Sequence, residues 1–117
     1  MKVVKVSDVS DKANPHGVSA KKIYDNEHAQ AIHMTLRSGE SLKKHVTPVD
    51  VFFYILEGEG QVEIGDEVQT VGKDSIIESP AKIPHRLLNP GKEDFRFLVV
   101  KVPRPIEKTT LVQESSH

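Results

Sequence analysis

At 117 residues the chain is long enough to bury one core and too short for two domains, so a second catalytic domain is excluded. Its 16 Lys and Arg stand against 17 Asp and Glu, with no block of like charge, which argues against nucleic acid and membrane as partners. The absence of cysteine excludes disulfides, thiolate metal sites and cysteine nucleophiles, so any metal must be held by His, carboxylate or water.

The first residues, Met1 to Asp8, carry no apolar run of the signal-peptide kind, and nowhere do about 18 apolar residues follow one another without interruption. A cytoplasmic location is the expectation. Residues 7–13 can form at most a capped turn. Beyond them apolar residues recur with period two: Val4 and Val6, then Ile32, Met34 and Leu36, then Val62 and Ile64, then Val68 and Val71 in looser order. No window sustains the i, i+3, i+4 spacing of a helix. Turn signals at Arg37 to Glu40, Glu57 to Gly60, Ile64 to Glu67 and Asn89 to Lys92 divide the strands at the spacing of a sandwich or barrel. Gly65-Asp66 predicts a two-residue hairpin of the glycine-first kind within 60–71. Past Val102 the alternation is lost and Pro103 and Pro105 oppose central-strand pairing. The expected division is therefore one all-β domain over 1–103 and a C-terminal tail, 104–117, that trails over the surface or ends in disorder.

Two segments carry the chemistry. The first runs Gly39-Glu-Ser-Leu-Lys-Lys-His45-Val-Thr47-Pro-Val-Asp50-Val51-Phe-Phe-Tyr-Ile-Leu-Glu57-Gly58, and the second Pro80-Ala-Lys82-Ile-Pro-His85-Arg-Leu-Leu-Asn89. Together they resemble the paired motifs of the cupin family, at 39–60 and 72–89, within a likeness that extends over roughly residues 32–100. The resemblance implies a jelly-roll β-barrel of two antiparallel sheets. It also implies a divalent transition metal (Zn, Ni, Fe, Mn or Cu) held by two His and a Glu of the first motif and one His of the second. Of those four positions His45 and His85 match, whereas Thr47 and Val51 stand where a histidine and a glutamate are expected. Lys82 replaces a motif glycine.

Strand parity is independent of the family. Residues 45, 47 and 51 share one face of a regular strand, which turns them into the barrel with Phe53 and sends Asp50 outward. A kink at Thr47-Pro48 would reverse that parity and bring Asp50 in as a third ligand, completing the two-His, one-carboxylate set of non-haem iron sites. His33 shares a face with Thr35 and Arg37, opposite Ile32, Met34 and Leu36; that polar face is either lumenal, making His33 a pocket residue and the missing third ligand and Arg37 an anion clamp, or solvent-facing. His16, His28 and His117 fall in a turn, near a loop and near the C-terminus, with no role expected. Thr47, Val51, Phe53 and His33 are thus the candidate pocket residues, and His45 and His85 the candidate metal ligands. Phe52, Tyr54 and Leu56 make the second face of the same strand apolar as well, to be covered by a homodimer partner or by the rest of the chain.

No nucleophile elbow, phosphate-binding glycine loop or zincin motif occurs. Two functions follow. One is a barrel that binds a small molecule at a partial, two-histidine site; the other is a metal-dependent enzyme of the dioxygenase, sugar isomerase or decarboxylase kind.

Overall fold

The period-two alternation becomes ten strands and no α-helix among the described residues, 1–106 and 109–112 of a computed structural model. One antiparallel sheet contains, in spatial order, β1 (Ser19–Asp25), β2 (Gln30–Leu36), β9 (Phe95–Lys101), β4 (Val51–Glu57) and β7 (Ile76–Ser79). The other contains β10 (Thr110–Leu111), β3 (His45–Val46), β8 (His85–Leu88), β5 (Glu59–Ile64) and β6 (Glu67–Gly72). The two sheets form a double-stranded β-helix, the jelly roll expected from the motifs. Among the described residues no helix is long and apolar enough to cross a membrane.

Alternation explains which face each strand buries. Val51, Phe53 and Ile55 on β4 lie beside Phe97 and Val99 on β9, which in turn lie beside Met34 and Ile32 on β2. From the facing sheet come Val62 and Leu87, and Leu42 joins them from the loop before β3. Phe53, Ile55, Leu87, Phe95 and Phe97 have no exposed surface, and each such side chain contributes about 1.5–3 kcal/mol by leaving water. The even-numbered residues Phe52, Tyr54, Leu56, Leu98 and Val100 turn to the other side of the first sheet and remain half-buried.

The motif residues act as fasteners. Asn89, buried, donates from Nδ2 to the carbonyls of Leu36 (2.9 Å) and Glu93 (2.7 Å), while its Oδ1 accepts the Gly91 N–H (3.1 Å). Its own carbonyl accepts the Gly39 N–H at 2.9 Å, so the start of the first motif is tied to the end of the second. Gly58 sits at φ 82°, and a Cβ there would lie 2.2 Å from the Asp94 carbonyl oxygen; no other residue fits. The hairpin forms as the sequence predicts: Ile64 pairs with Glu67 across Gly65-Asp66, with Gly65 at φ 56°, the positive dihedral that a glycine-first turn requires.

Two segments differ from expectation. Val6–Asp8 forms a single 3₁₀ turn without a side-chain cap. Beyond Val102 the chain adds a strand: Thr110 and Leu111 pair with Val46 and His45, and the Arg104 side chain holds Asp25. An edge strand tolerates the upstream prolines that oppose central pairing. The remainder of the tail, His117 included, lies outside the described residues.

Candidate functional site

β3 and β8 pair at one point, His45 opposite His85, and this places both imidazoles inside the barrel. The carbonyl of Lys43 can only accept, so the 2.8 Å contact with His45 Nδ1 assigns the proton to that nitrogen and leaves a lone pair on Nε2. His85 Nε2 lies 3.1 Å from that lone pair and 3.2 Å from Thr47 Oγ1, and carries the donated proton. His85 Nδ1 then accepts the Ser79 hydroxyl at 2.6 Å. Every ring nitrogen of the pair is satisfied, as buried polar groups must be. The Phe53 ring meets His85 edge-on, with centroids 5.3 Å apart.

Burial holds these imidazoles neutral. Desolvation, then the neighbouring His45 and Lys101, pushes His85 down to about 3; desolvation also lowers His45. The His16 ring lies tilted at 59° to His45 with centroids 5.0 Å apart, accepts the Lys43 N–H on Nδ1, and is pushed by desolvation, then by His45, down to about 4.

Beside His45 lies a cavity of about 510 Å³. Ala20, Ile32, Met34, Leu42, Phe53 and Val99 give it apolar walls, and His16, His45 and Gln30 supply polar groups. Lys12, Lys22 and Lys101 also line it, and Pro105, Ile106, Thr109 and Leu111 of the C-terminal segment border it. Of the residues expected from sequence, His45 and Phe53 line the cavity, with His85 and Thr47 hydrogen-bonded to each other within the same interior. Val51 is buried in the core, between Ser79 and Lys101 in register.

His33 is elsewhere. The inward residues of β2 are Gln30, Ile32 and Met34, so His33 lies on the opposite face, yet buried rather than solvent-exposed. Its Nε2 accepts from Arg96 Nη1 at 3.0 Å, and its Nδ1 has no protein partner among the described residues. It is therefore not a pocket residue. Asp50 also keeps its outward parity: it is exposed, and its carboxylate accepts the Ala81 N–H at 2.8 Å, capping the loop that carries the second motif. In that loop Lys82 adopts φ 66°, the left-handed conformation for which the motif uses glycine, and donates its N–H to the Thr47 carbonyl.

Sequence reasoning missed His16 and the three lysines. Lys22 shares parity with Ala20, and Lys101 with Phe97 and Val99, so alternation alone marks both as inward. His16 carried no such signal, because a turn has no parity.

Among the described residues no three His, Asp or Glu side chains converge as metal ligands. The two inward imidazoles use the lone pair of one to hold the N–H of the other. This donor set does not fit a resident metal held by the chain alone.

The Cupin domain family model matches residues 32–101. The uncharacterized protein MJ0764 of Methanocaldococcus jannaschii is 29% identical over 86 residues, covering 73% of this chain and 74% of that protein. Among solved structures, the polyketide cyclase RemF of Streptomyces resistomycificus superposes with a TM-score of 0.85 at 23% identity, over 99% of this chain and 88% of that one. A predicted oxalate decarboxylase from Thermotoga maritima gives 0.78 at 22%, over 88% and 100%. At such identities the structural likenesses carry the fold and no activity.

Proposed function

The chain belongs to the cupin family, and from that premise we propose that it is a small-molecule-binding barrel whose polar anchor is the His45–His85 pair. The observation that carries this reading is the cavity of about 510 Å³, within the size range of small-molecule sites, with apolar walls and few polar groups. A ligand hydroxyl that reaches His45 from the cavity would take over its Nε2 lone pair from His85, whose Nε2–H keeps Thr47 Oγ1 at 3.2 Å. The test uses the neutral dye phenylnaphthylamine, whose fluorescence rises in apolar sites. Saturable binding to the wild type and its loss in Ala20→Phe, which fills the cavity, are expected. Equal binding by Ala20→Phe would place the dye outside the barrel and defeat the reading.

A second reading, a metal-dependent enzyme, draws on one geometric fact. The Lys43 carbonyl fixes the His45 tautomer as carbonyls do behind metal-bound histidines. His45 Nε2 and His85 Nε2 would be the two protein ligands to such an ion, which would act as a Lewis acid. Substrate or water would have to complete the shell. A dioxygenase, isomerase or decarboxylase of this type predicts near-equimolar transition metal in protein purified without a histidine tag, lost in His45→Ala or His85→Ala. Metal-free protein that still takes up the dye excludes it.

The same proposal includes a homodimer built on the outer face of the first sheet, where Phe52, Tyr54, Leu98 and Val100 lie side by side in register and half-exposed. A scattering mass twice that of the chain at micromolar concentration supports it; a monomer mass refutes it.

A further inference from the structure

Three lysines reach the cavity from three separate parts of the chain. Lys22 on β1 stands opposite the inward Ile32, Lys101 on β9 stands opposite the inward Gln30, and Lys12 comes from the N-terminal segment, anchored by its N–H to the Ala20 carbonyl. Lys101 is the most buried of the three and loses part of its ammonium's hydration, whereas Lys22 is partly exposed and Lys12 stands exposed at the cavity's edge. The compensation within the chain is thin. Asp25 lies 3.5 Å from Lys22 Nζ, but its other oxygen is taken by Arg104 at 2.8 Å. Among the described residues no carboxylate forms an ion pair with Lys12 or Lys101, and Lys101 Nζ has the Thr109 hydroxyl at 3.4 Å.

The ammoniums also feel one another. Lys12 is lowered first by its contact with Lys22, and Lys101 first by burial and then by Lys22 and Lys12. Lys101 in turn lowers His16, His45 and His85. A concentration of positive charge therefore borders a cavity whose walls are otherwise apolar.

We propose that the barrel selects an amphipathic carboxylate, its anionic head among Lys12, Lys22 and Lys101 and its apolar body against Ile32, Met34 and Phe53. This rests on the reading of the barrel as a small-molecule site and narrows it to a ligand class. The lining chemistry favours carboxylate over phosphate: among the described residues no arginine and no glycine lines the cavity, so neither a planar guanidinium fork nor a glycine-rich backbone cradle is offered there, whereas ammonium point charges suit a compact carboxylate.

The test compares two dyes with the same aromatic body. Anilinonaphthalene sulfonate carries an anionic head, and phenylnaphthylamine none. The wild type is expected to bind the anion at least about tenfold more tightly, the difference of one ion-pair-strength contact. Lys101→Met should bring the two affinities within about threefold while the neutral dye is unaffected. Lys12→Gln, which keeps the backbone N–H bonded to the Ala20 carbonyl and changes an exposed side chain, should weaken the anion alone by about two- to fivefold. Naphthoate should displace the anionic dye, and inorganic phosphate at the same concentration should not. Equal affinities in the wild type, or an anion preference that survives both substitutions, overturn the proposal and leave the barrel reading intact. Displacement by phosphate as effective as by naphthoate overturns the carboxylate assignment. If neither dye binds, the small-molecule reading itself has failed.

Discussion

Two buried imidazoles, His85 and His33, sit in the same fold with opposite degrees of completion. His85 has a partner on each nitrogen and lies among residues of three strands and a loop: His45, Thr47, Phe53 and Ser79. His33 has Arg96 on one nitrogen and nothing among the described residues on the other. Burial alone therefore does not mark a site. A buried imidazole that is fully partnered is held in one orientation and presents a defined edge to whatever enters, whereas a half-partnered one costs stability and defines nothing.

The largest effect should come from breaking the complete network. His85→Ala leaves a cavity and removes the partners of Ser79 Oγ, Thr47 Oγ1 and His45 Nε2 at once, an expected loss of about 3 kcal/mol in urea unfolding. A loss below about 1 kcal/mol would show that the network carries no stability.

Acid should act through the same groups. His85 and His16 are lowered to about 3 and about 4 from 6.5, and His45 is lowered as well. Below 6.5 the unfolded chain binds protons that the folded chain refuses. The stability contributed by neutral imidazoles is thus complete above pH 6.5 and declines as pH falls from there toward 4. Each histidine adds a slope of up to about 1.4 kcal/mol per pH unit. Urea midpoints measured between pH 7 and 4.5 should follow this fall, and His85→Leu should flatten it by up to one proton; an unchanged slope would remove His85 from the account.

His33→Leu sharpens the contrast from the other side. It deletes an orphaned Nδ1–H, while Arg96 retains Glu57 at 2.7 Å, so stability should change by no more than about 1 kcal/mol, in either direction. Dye binding should be unchanged, because the residue lies behind the sheet. Altered binding would place it back among the pocket residues.

The smallest effect, of opposite sign, belongs to the loop that pins Thr47. Lys82→Gly relieves a left-handed backbone while keeping the N–H that holds the Thr47 carbonyl, for an expected gain of about 0.5–1 kcal/mol. A loss there would mean that the lysine side chain contributes more than its backbone costs.

Parity made much of this legible in the sequence. Residues 45, 51 and 53 turn inward and Asp50 outward because a strand permits nothing else, and the same rule put His33 opposite Met34. What parity cannot say is what covers a face. The sequence left His33 either lumenal or solvent-facing, and the structure buries it on the non-lumenal side, where Lys21 of β1 pairs with it in register and reaches back to the Val6 carbonyl. The same limit hid the lysine cluster: Lys22 and Lys101 carry inward parity, but their meeting with Lys12 depends on how distant segments come together. His16 belongs to that class too, a turn residue brought to His45 by chain placement alone. The motif resemblance located the fold, and Thr47 and Val51 showed in advance that two ligands were missing.

Among the described residues the shortest strands are the two that meet at His45. β3 spans two residues, with β8 on one side and the two residues of β10 on the other. A chain cut before Thr110 would leave the backbone beside His45 without its outer partner and would remove Leu111 from the cavity border. Thr109 and Leu111 are thus part of the cavity's wall, and a tag or fusion joined directly after Leu111 starts at the cavity's border.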